Sequence, residues 1–231
     1  MNWMKKVAVA LVCLLPLGLQ AAKVDTLQVK SPSMNKSIEV VVVSPDVAAT
    51  KACPVIYLLH GYGGNARTWV GIKPDLSKIA DEKGIFFVCP DGKNTWYWDS
   101  PLNADVRYET FISDELVKYV DSHYKTVADR KGRAITGLSM GGHGAMWNGL
   151  RHSDVFSAAG STSGGVDIRP FPKNWEMSVQ IGEKAKYPEN WEKYTVINLV
   201  PTLRKDQIAL IFDCGDSDFF LEVNKTTTRR Y

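Results

Sequence analysis

Short apolar runs that alternate with helical patterns constrain the fold of this chain more than any other feature. Each run has the length of a single strand. The runs occupy residues 55–59, 85–89, 133–138, 156–161 and 208–212. Ahead of them, residues 25–43 alternate weakly and then become apolar, which predicts an opening pair of strands.

Helical periodicity fills the intervals between these runs. The predicted helices cover residues 75–83, 109–124 and 142–151. Strands that alternate with helices are typical of βαβ units, so the pattern predicts an α/β fold with a mostly parallel, doubly wound sheet buried on both faces. Residues 163–201 contain Gly, Pro and Trp with only short helical pieces, and we expect them to form an excursion beside the functional site.

The N-terminal segment has the layout of a secretory signal peptide. Lys5 and Lys6 precede an uncharged apolar run over residues 7–19, and small residues follow near Ala21. The run is shorter than the roughly 20 residues that a spanning helix needs. We therefore predict that residues 1–21 are a cleaved signal peptide and that the mature protein is secreted or periplasmic, with no membrane partner.

The composition of the remaining chain excludes several classes of function. Removal of the signal peptide takes away two lysines and no acid, which leaves 26 basic and 25 acidic residues and a net charge of +1. A nucleic-acid partner is not expected, since such proteins normally carry a basic cluster. Cys53, Cys89 and Cys214 have neither metal-type spacing nor a disulfide framework. No nucleotide loop or ligand cluster appears either, so we predict no cofactor and no metal.

A candidate nucleophile lies where a strand-like run meets a helix-like run. Residues 137–142 read GLSMGG, which contains the Gly-x-Ser-x-Gly motif in the strand, turn and helix context that the motif requires. The turn is so tight that only glycine fits two residues before and two after the serine. A plain loop could also contain these residue types, but the context favours Ser139 as a nucleophile.

A glycine-rich loop follows the first of the five apolar runs. Residues 60–64 read HGYGG. Acyl transfer needs backbone N–H groups directed at the developing oxyanion, and a loop in this position can supply one while the residue after the nucleophile supplies another. We predict Tyr62 and Met140 as these two donors. A turn without catalytic function is the alternative, and the order of the two motifs along the chain argues against it.

The run at residues 208–212 leads into three candidate acids. Asp213 belongs to the end of the predicted strand, whereas Asp216 and Asp218 lie in the loop beyond it. The order nucleophile, acid, histidine that accompanies this motif requires a carboxylate after a late strand. We favour Asp218.

The ordered motifs together resemble the esterase D-like esterases of the α/β-hydrolase superfamily. They include PDG at residues 90–92, WYWDSP at 96–101, ETFI at 109–112 and CGDSD at 214–218, besides the two glycine-rich motifs. This family includes feruloyl and acetyl-xylan esterases, S-formylglutathione hydrolases and mycolyltransferases. The resemblance covers residues 25–224. It implies an α/β-hydrolase fold, acyl transfer through Ser139 and an acid at Asp218.

The chain departs from the family pattern at the general base. In the family, a histidine that follows the acid through a further helix and strand acts as the base. The four histidines of this chain, at positions 60, 123, 143 and 152, all precede Asp218, and we expect each to have a structural role. The resemblance therefore predicts that residues 22–231 are a C-terminally incomplete esterase domain, with the last strand and helix missing, an open sheet edge and low activity.

The aromatic residues bear on the substrate. Six tryptophans follow the signal peptide, and Trp96 and Trp98 lie in a predicted loop near the site. Aromatic walls suit a phenolic acyl group or a sugar ring, so we predict that these two bind substrate and that the substrate is a small-molecule or polysaccharide ester of the feruloyl or acetyl-xylan type. Ordinary packing is the alternative for both. An acyltransferase and a pseudoenzyme without a base are the other functions that the sequence allows.

Overall fold

A computed structural model describes residues 22–228, so the predicted signal peptide lies outside the described residues. The described chain forms one seven-stranded mixed sheet in the order β1-β2-β4-β3-β5-β6-β7. The strands are β1 (Lys23–Ser31), β2 (Lys36–Ser44), β3 (Val55–Leu59), β4 (Phe86–Pro90), β5 (Arg133–Gly137), β6 (Ala158–Thr162) and β7 (Ala209–Asp213). β2 is antiparallel to both of its neighbours, and the other four neighbouring pairs are parallel.

Helices connect these strands. They are α1 (Thr68–Ile72), α2 (Leu76–Lys83), α3 (Tyr108–Thr110), α4 (Leu116–His123), α5 (Met140–Arg151), α6 (Met177–Ile181), α7 (Pro188–Lys193) and α8 (Leu221–Thr228). A π-helical turn, Phe111–Glu115, joins α3 to α4. In the described part of the chain, no helix is both long and apolar enough to cross a membrane.

The sheet confirms the main elements predicted from the sequence. Each of the five apolar runs overlaps one of the strands β3 to β7, with ends that differ by at most two residues. The helices predicted at residues 75–83 and 142–151 are α2 and α5. α1 and α6 were not predicted, because each has only five residues, which is too short for a helical repeat of apolar residues to show.

Two layers of side chains pack on the sheet, and β2 shows how. Its residues 40–43 are four consecutive valines with no exposed surface. Val40 and Val42 belong to the core under α3, α4 and α5, whereas Val41 and Val43 belong to the core under α2. A central strand covered on both faces reads as a continuous apolar run, which is why the alternating pattern breaks there.

Helices flank the sheet but leave part of one face uncovered. On that face, β5, β6 and β7 line an open groove of about 200 Å³ whose lining includes Ala134, Ala158 and Ile211. The Ile211 side chain is 70% exposed. Within the described residues, β7 pairs only with β6 and forms an edge of the sheet. The burial that the α/β pattern implies is therefore complete at β4 and incomplete at β7.

Candidate active site

Ser139 occupies a strained turn between β5 and α5. Its backbone has φ 54° and ψ −118°, a conformation that non-glycine residues rarely adopt. The Ser139 N–H donates to the carbonyl of Thr162 on β6 at 2.9 Å, and the Ser139 carbonyl accepts from the His143 N–H at 3.0 Å. The neighbouring strand and the first turn of α5 thus hold the strained residue from both sides.

The glycines that flank this turn are required by its packing. A Cβ atom on Gly137 would lie 2.3 Å from the carbonyl oxygen of Gly141, and one on Gly141 would lie 2.2 Å from the carbonyl oxygen of Leu59. Both neighbours are backbone atoms that cannot move aside. The structure therefore gives the Gly-x-Ser-x-Gly spacing the steric cause expected from the sequence.

The loop at residues 60–64 packs directly against the nucleophile turn. A Cβ atom on Gly61 would lie 3.5 Å from the Cβ of Ser139. The Gly64 N–H donates to the Gly61 carbonyl at 3.0 Å, and Gly63 between them has a left-handed φ of 77°. Met140, as the first residue of α5, has an N–H without a partner inside the helix. The loop and the start of α5 thus meet at Ser139. The backbone N–H groups of Tyr62 and Met140, the predicted oxyanion donors, belong to these two segments.

His60 holds this loop in place through hydrogen bonds and is not available as a base for Ser139. Its Nδ1 donates to the Gly61 carbonyl at 2.7 Å, and its Nε2 accepts from the Gly92 N–H at 2.9 Å. The ring is buried, with 1% of its surface exposed. Both ring nitrogens are occupied, which agrees with the structural role expected from the sequence.

His143 is also held inside the protein. Its Nδ1 donates to the Gly165 carbonyl at 2.8 Å, and its Nε2 accepts from Nε1 of Trp98 at 2.9 Å. Burial lowers the pKa of His143 to about 4 and outweighs the Gly165 hydrogen bond, which raises it. The ring is therefore neutral near pH 7, and it ties α5 to the start of the excursion.

The other two histidines contact groups elsewhere. His152 Nε2 lies 2.8 Å from Oε1 of Glu109, and His123 Nδ1 lies 2.8 Å from the Tyr119 carbonyl. In the part of the chain that the structure describes, every histidine has a partner other than the Ser139 hydroxyl. A base for Ser139 is therefore not found among these four side chains.

The three candidate acids lie at or beyond the carboxyl end of β7, at the same end of the sheet as Ser139. Asp213 belongs to β7, and its Oδ2 accepts from the Thr162 hydroxyl at 3.2 Å. Asp218 lies in the loop before α8, where its Oδ1 accepts from the Phe220 N–H at 2.7 Å. Asp213 is thus tied to β6, while Asp216 and Asp218 occupy the loop, as the sequence predicted. The assignment of the triad acid to Asp218 stays a prediction.

Trp96 and Trp98 do not form the substrate wall predicted for them. Their side chains are 1% and 0% exposed. The two indoles stack with their ring centres 5.6 Å apart, and both contact the edge of His143. Neither indole offers a surface to a ligand in this structure, because the excursion covers both. Packing, the alternative that the sequence left open, is what the structure shows.

Sequence reasoning missed a group of residues at the rim of the loop. Asn94 Oδ1 accepts from the Gly63 N–H at 2.9 Å, and its Nδ2 donates to Glu176 at 3.3 Å. Trp175 precedes Glu176 and stacks on Phe219, the residue after Asp218. Trp175 was one of six candidate tryptophans, but no motif distinguished it. The position of Phe219 next to the candidate acid was the one available signal.

The described chain has no metal centre of the usual composition. No group of three or more His, Cys, Asp or Glu side chains within residues 22–228 is arranged to hold a metal ion. The three cysteines of this part are unpaired, with Cys53 and Cys89 buried and Cys214 partly exposed.

The comparison with known families agrees with this geometry. Residues 31–229 match the model of the family described as "Putative esterase". The chain belongs to this esterase family. The chain is 31% identical to an acetyl esterase of Caldicellulosiruptor saccharolyticus over 188 residues, which cover 74% of this chain and 68% of that relative.

The chain is also similar to another curated esterase and to a solved structure. It is 31% identical over 149 residues to an esterase of Mycobacterium tuberculosis strain H37Rv, which covers 62% of this chain and 32% of the relative. The chain thus spans about a third of the length of the first curated relatives that it matches. A solved ferulic acid esterase superposes with a TM-score of 0.73 at 29% identity and covers 91% of this chain and 86% of its own. The fold is accordingly that of the α/β-hydrolases.

Proposed function

We propose that this chain is a secreted serine carboxylic-ester hydrolase that forms an acyl-enzyme on Ser139. Its substrates would be acyl esters of plant polysaccharides, of the feruloyl or acetyl-xylan type. The observation that carries the proposal is the left-handed Ser139 turn at the end of β5, with the loop at residues 60–64 packed against it. Family membership supports ester hydrolysis, and the acetyl and ferulic acid esterase relatives support the substrate class.

The geometry suggests a two-step reaction. The Ser139 oxygen attacks the ester carbonyl carbon, and the Tyr62 and Met140 N–H groups stabilise the resulting oxyanion. Collapse of this intermediate releases the alcohol, which takes up the proton that the serine has lost, and leaves the acyl group on Ser139. Water then attacks the acyl-enzyme and releases the carboxylic acid. Both attacks need a base, since a serine hydroxyl is a weak nucleophile at neutral pH.

A catalytically impaired form is the second candidate. The contacts of the four histidines favour it, because each ring has a hydrogen-bond partner other than Ser139. Removal of one triad member leaves only the residual rate that the oxyanion hole and substrate positioning provide. Added imidazole is a small base that can enter an open site and take the place of such a side chain.

Kinetics with added imidazole test the proposal. We would measure hydrolysis of p-nitrophenyl acetate and of methyl ferulate with and without imidazole, and subtract the rates of the matched Ser139→Ala protein. We expect turnover that depends on Ser139 and rises with imidazole concentration. Equal rates for both proteins at every imidazole concentration would contradict the assignment of the nucleophile.

Expression with the complete N-terminus tests the proposed export. We expect the exported protein to begin near residue 22 when its intact mass is measured. A product that retains residues 1–21 inside the cell would contradict secretion and leave the chemistry of Ser139 unaffected.

A further inference from the structure

We propose that Trp175 and Phe219 form the platform that binds the acyl group, and that this platform selects aryl acyl groups over acetyl. The inference rests on the proposed function and deepens it, because the function alone leaves both acyl classes open. Trp175 lies in the excursion just before α6, and Phe219 lies between β7 and α8. Their rings stack with centres 5.4 Å apart and planes inclined by 25°.

Contacts connect one end of this stack to the loop beside the nucleophile. Glu176, the residue after Trp175, accepts from Asn94 Nδ2, and Asn94 Oδ1 accepts from the Gly63 N–H. Burial and the neighbouring Glu176 carboxylate both raise the pKa of Tyr62, as expected if the phenol lies beside Glu176. The residue pair 175–176 is thus joined to the candidate oxyanion loop.

The other end of the stack lies next to the candidate acid. Phe219 follows Asp218 directly, in the loop at the carboxyl end of β7. Because β5, β6 and β7 are parallel, the carboxyl ends of β5 and β7 lie at the same edge of the sheet. The aromatic stack therefore connects the loop at residues 60–64 with the loop after β7, at the same edge of the sheet as Ser139.

The platform is both exposed and held in place. The Phe219 side chain is 64% exposed, although the next residue, Phe220, is 2% exposed. Trp175 and Glu176 have left-handed φ values of 48° and 54°, which are unfavourable for side chains of their size. The buried Trp96 indole donates to the Trp175 carbonyl at 3.1 Å and so maintains this conformation. Strain that the surroundings maintain in this way occurs mainly at functional sites.

The chemistry of the platform fits an aromatic ring. Its rings pack on Phe171 and Phe220, so its surroundings are apolar. An aryl acyl group can stack on such a surface over the whole ring, whereas an acetyl group contributes a single methyl. A sugar ring could also stack, but its hydroxyl groups require polar partners, and these ring neighbours provide none.

Binding of the intact ester tests the platform without requiring turnover. We would measure dissociation constants for methyl ferulate, methyl acetate and xylotriose by NMR titration, with the Ser139→Ala protein as the parent. Phe219→Ala in that background should raise the Kd of methyl ferulate about tenfold, which corresponds to the loss of one aromatic contact. Phe219→Tyr should retain the affinity, and Val179→Ala, at a position 66% exposed on α6, is the matched control that should not change it.

Trp175→Phe provides a second test, in which the position keeps an aromatic ring but loses the larger indole. We expect a smaller rise in the Kd of methyl ferulate, with the thermal unfolding temperature close to that of the parent. An unchanged Kd for methyl ferulate in both Phe219→Ala and Trp175→Phe would overturn the proposal. The proposal would also be overturned if Phe219→Ala weakened the binding of xylotriose and left the Kd of methyl ferulate unchanged. That result would identify a platform for sugars. The imidazole kinetics test Ser139 separately, so failure of the platform and failure of the proposed function can be distinguished.

Discussion

The central strand of the parallel part of the sheet, β5, is packed more completely than its edge strand, β7. On β5, Ile135 has no exposed surface, whereas Ile211 on β7 is 70% exposed. The strand that leads to Ser139 lies between two strands and under α5, while β7 has one strand neighbour among the described residues. The nucleophile turn thus follows a strand whose side chains are fully buried on the face under α5, whereas the loop with the candidate acid and the aromatic platform follows a strand that is less buried on both faces.

Substitution of a glycine in the turn or loop that follows each strand should show the largest difference between the β5 and β7 regions. In Gly141→Ala, the new Cβ would meet the backbone of Leu59, so we expect a loss of more than about 4 kcal/mol in the free energy of unfolding. Gly215→Ala is the matched control in the β7 loop, where the nearest atom would lie 3.9 Å away. Urea denaturation checks both. Similar losses for the two variants would contradict the comparison.

Truncation of the same residue type on the two strands should give the next largest effect. Ile135→Ala removes a fully buried side chain and should lower the free energy of unfolding by about 3 to 4 kcal/mol. Ile211→Ala should change it by less than about 0.5 kcal/mol, because the side chain is already in solvent. Urea denaturation at one temperature measures both. A cost above about 2 kcal/mol at Ile211 would show that the β7 face is covered in solution.

The buried His143, on the helix that packs on β5, should make the free energy of unfolding sensitive to acid. Its pKa is about 4 in the folded protein and near 6.5 when exposed, so the unfolded state binds more protons between these values. The stability is fully present above pH 6.5 and falls as the pH is lowered towards 4, by about 3 kcal/mol at most. Free energies of unfolding measured from pH 4 to 7.5 check this. His143→Gln should have a flatter profile, and an identical profile would contradict the assignment.

A charge on the exposed strand should have the smallest effect on stability. Ile211→Lys should alter the free energy of unfolding by less than about 0.5 kcal/mol. It should also reduce self-association, because a lysine on an exposed edge strand opposes pairing with another chain. Sedimentation velocity at several concentrations measures this. Equal association of the variant and the parent would show that β7 is not the surface through which copies meet.

The parts of the site that local sequence rules govern were the predictable ones. The apolar run at residues 55–59 is β3 with the same bounds, and GLSMGG gave both the position of the turn and its glycines. These features depend on neighbouring residues and on strand length. The structural role predicted for His60 also agrees with its place at the start of a glycine-rich loop.

The aromatic residues could not be predicted in the same way. Trp96 is buried because it stacks on Trp98, packs perpendicular to the His143 ring and donates a hydrogen bond to the Trp175 carbonyl. The contacts with His143 and Trp175 join segments far apart in the chain. The left-handed backbone at Trp175 and Glu176 could not be predicted, because neither position carries Gly, Asn or Asp, the residues that usually adopt it. Sequence periodicity identifies an aromatic-rich loop, but only the fold decides which rings face the solvent.

Covalent labelling tests the central claim, that Ser139 is the nucleophile, most directly. The chain and its Ser139→Ala variant would be incubated with a fluorophosphonate and imidazole, and the modified residue located by intact mass and peptide mapping. We predict a single adduct on Ser139 and none on the variant. An adduct on another residue, equal labelling of both proteins or no adduct at all would contradict the claim.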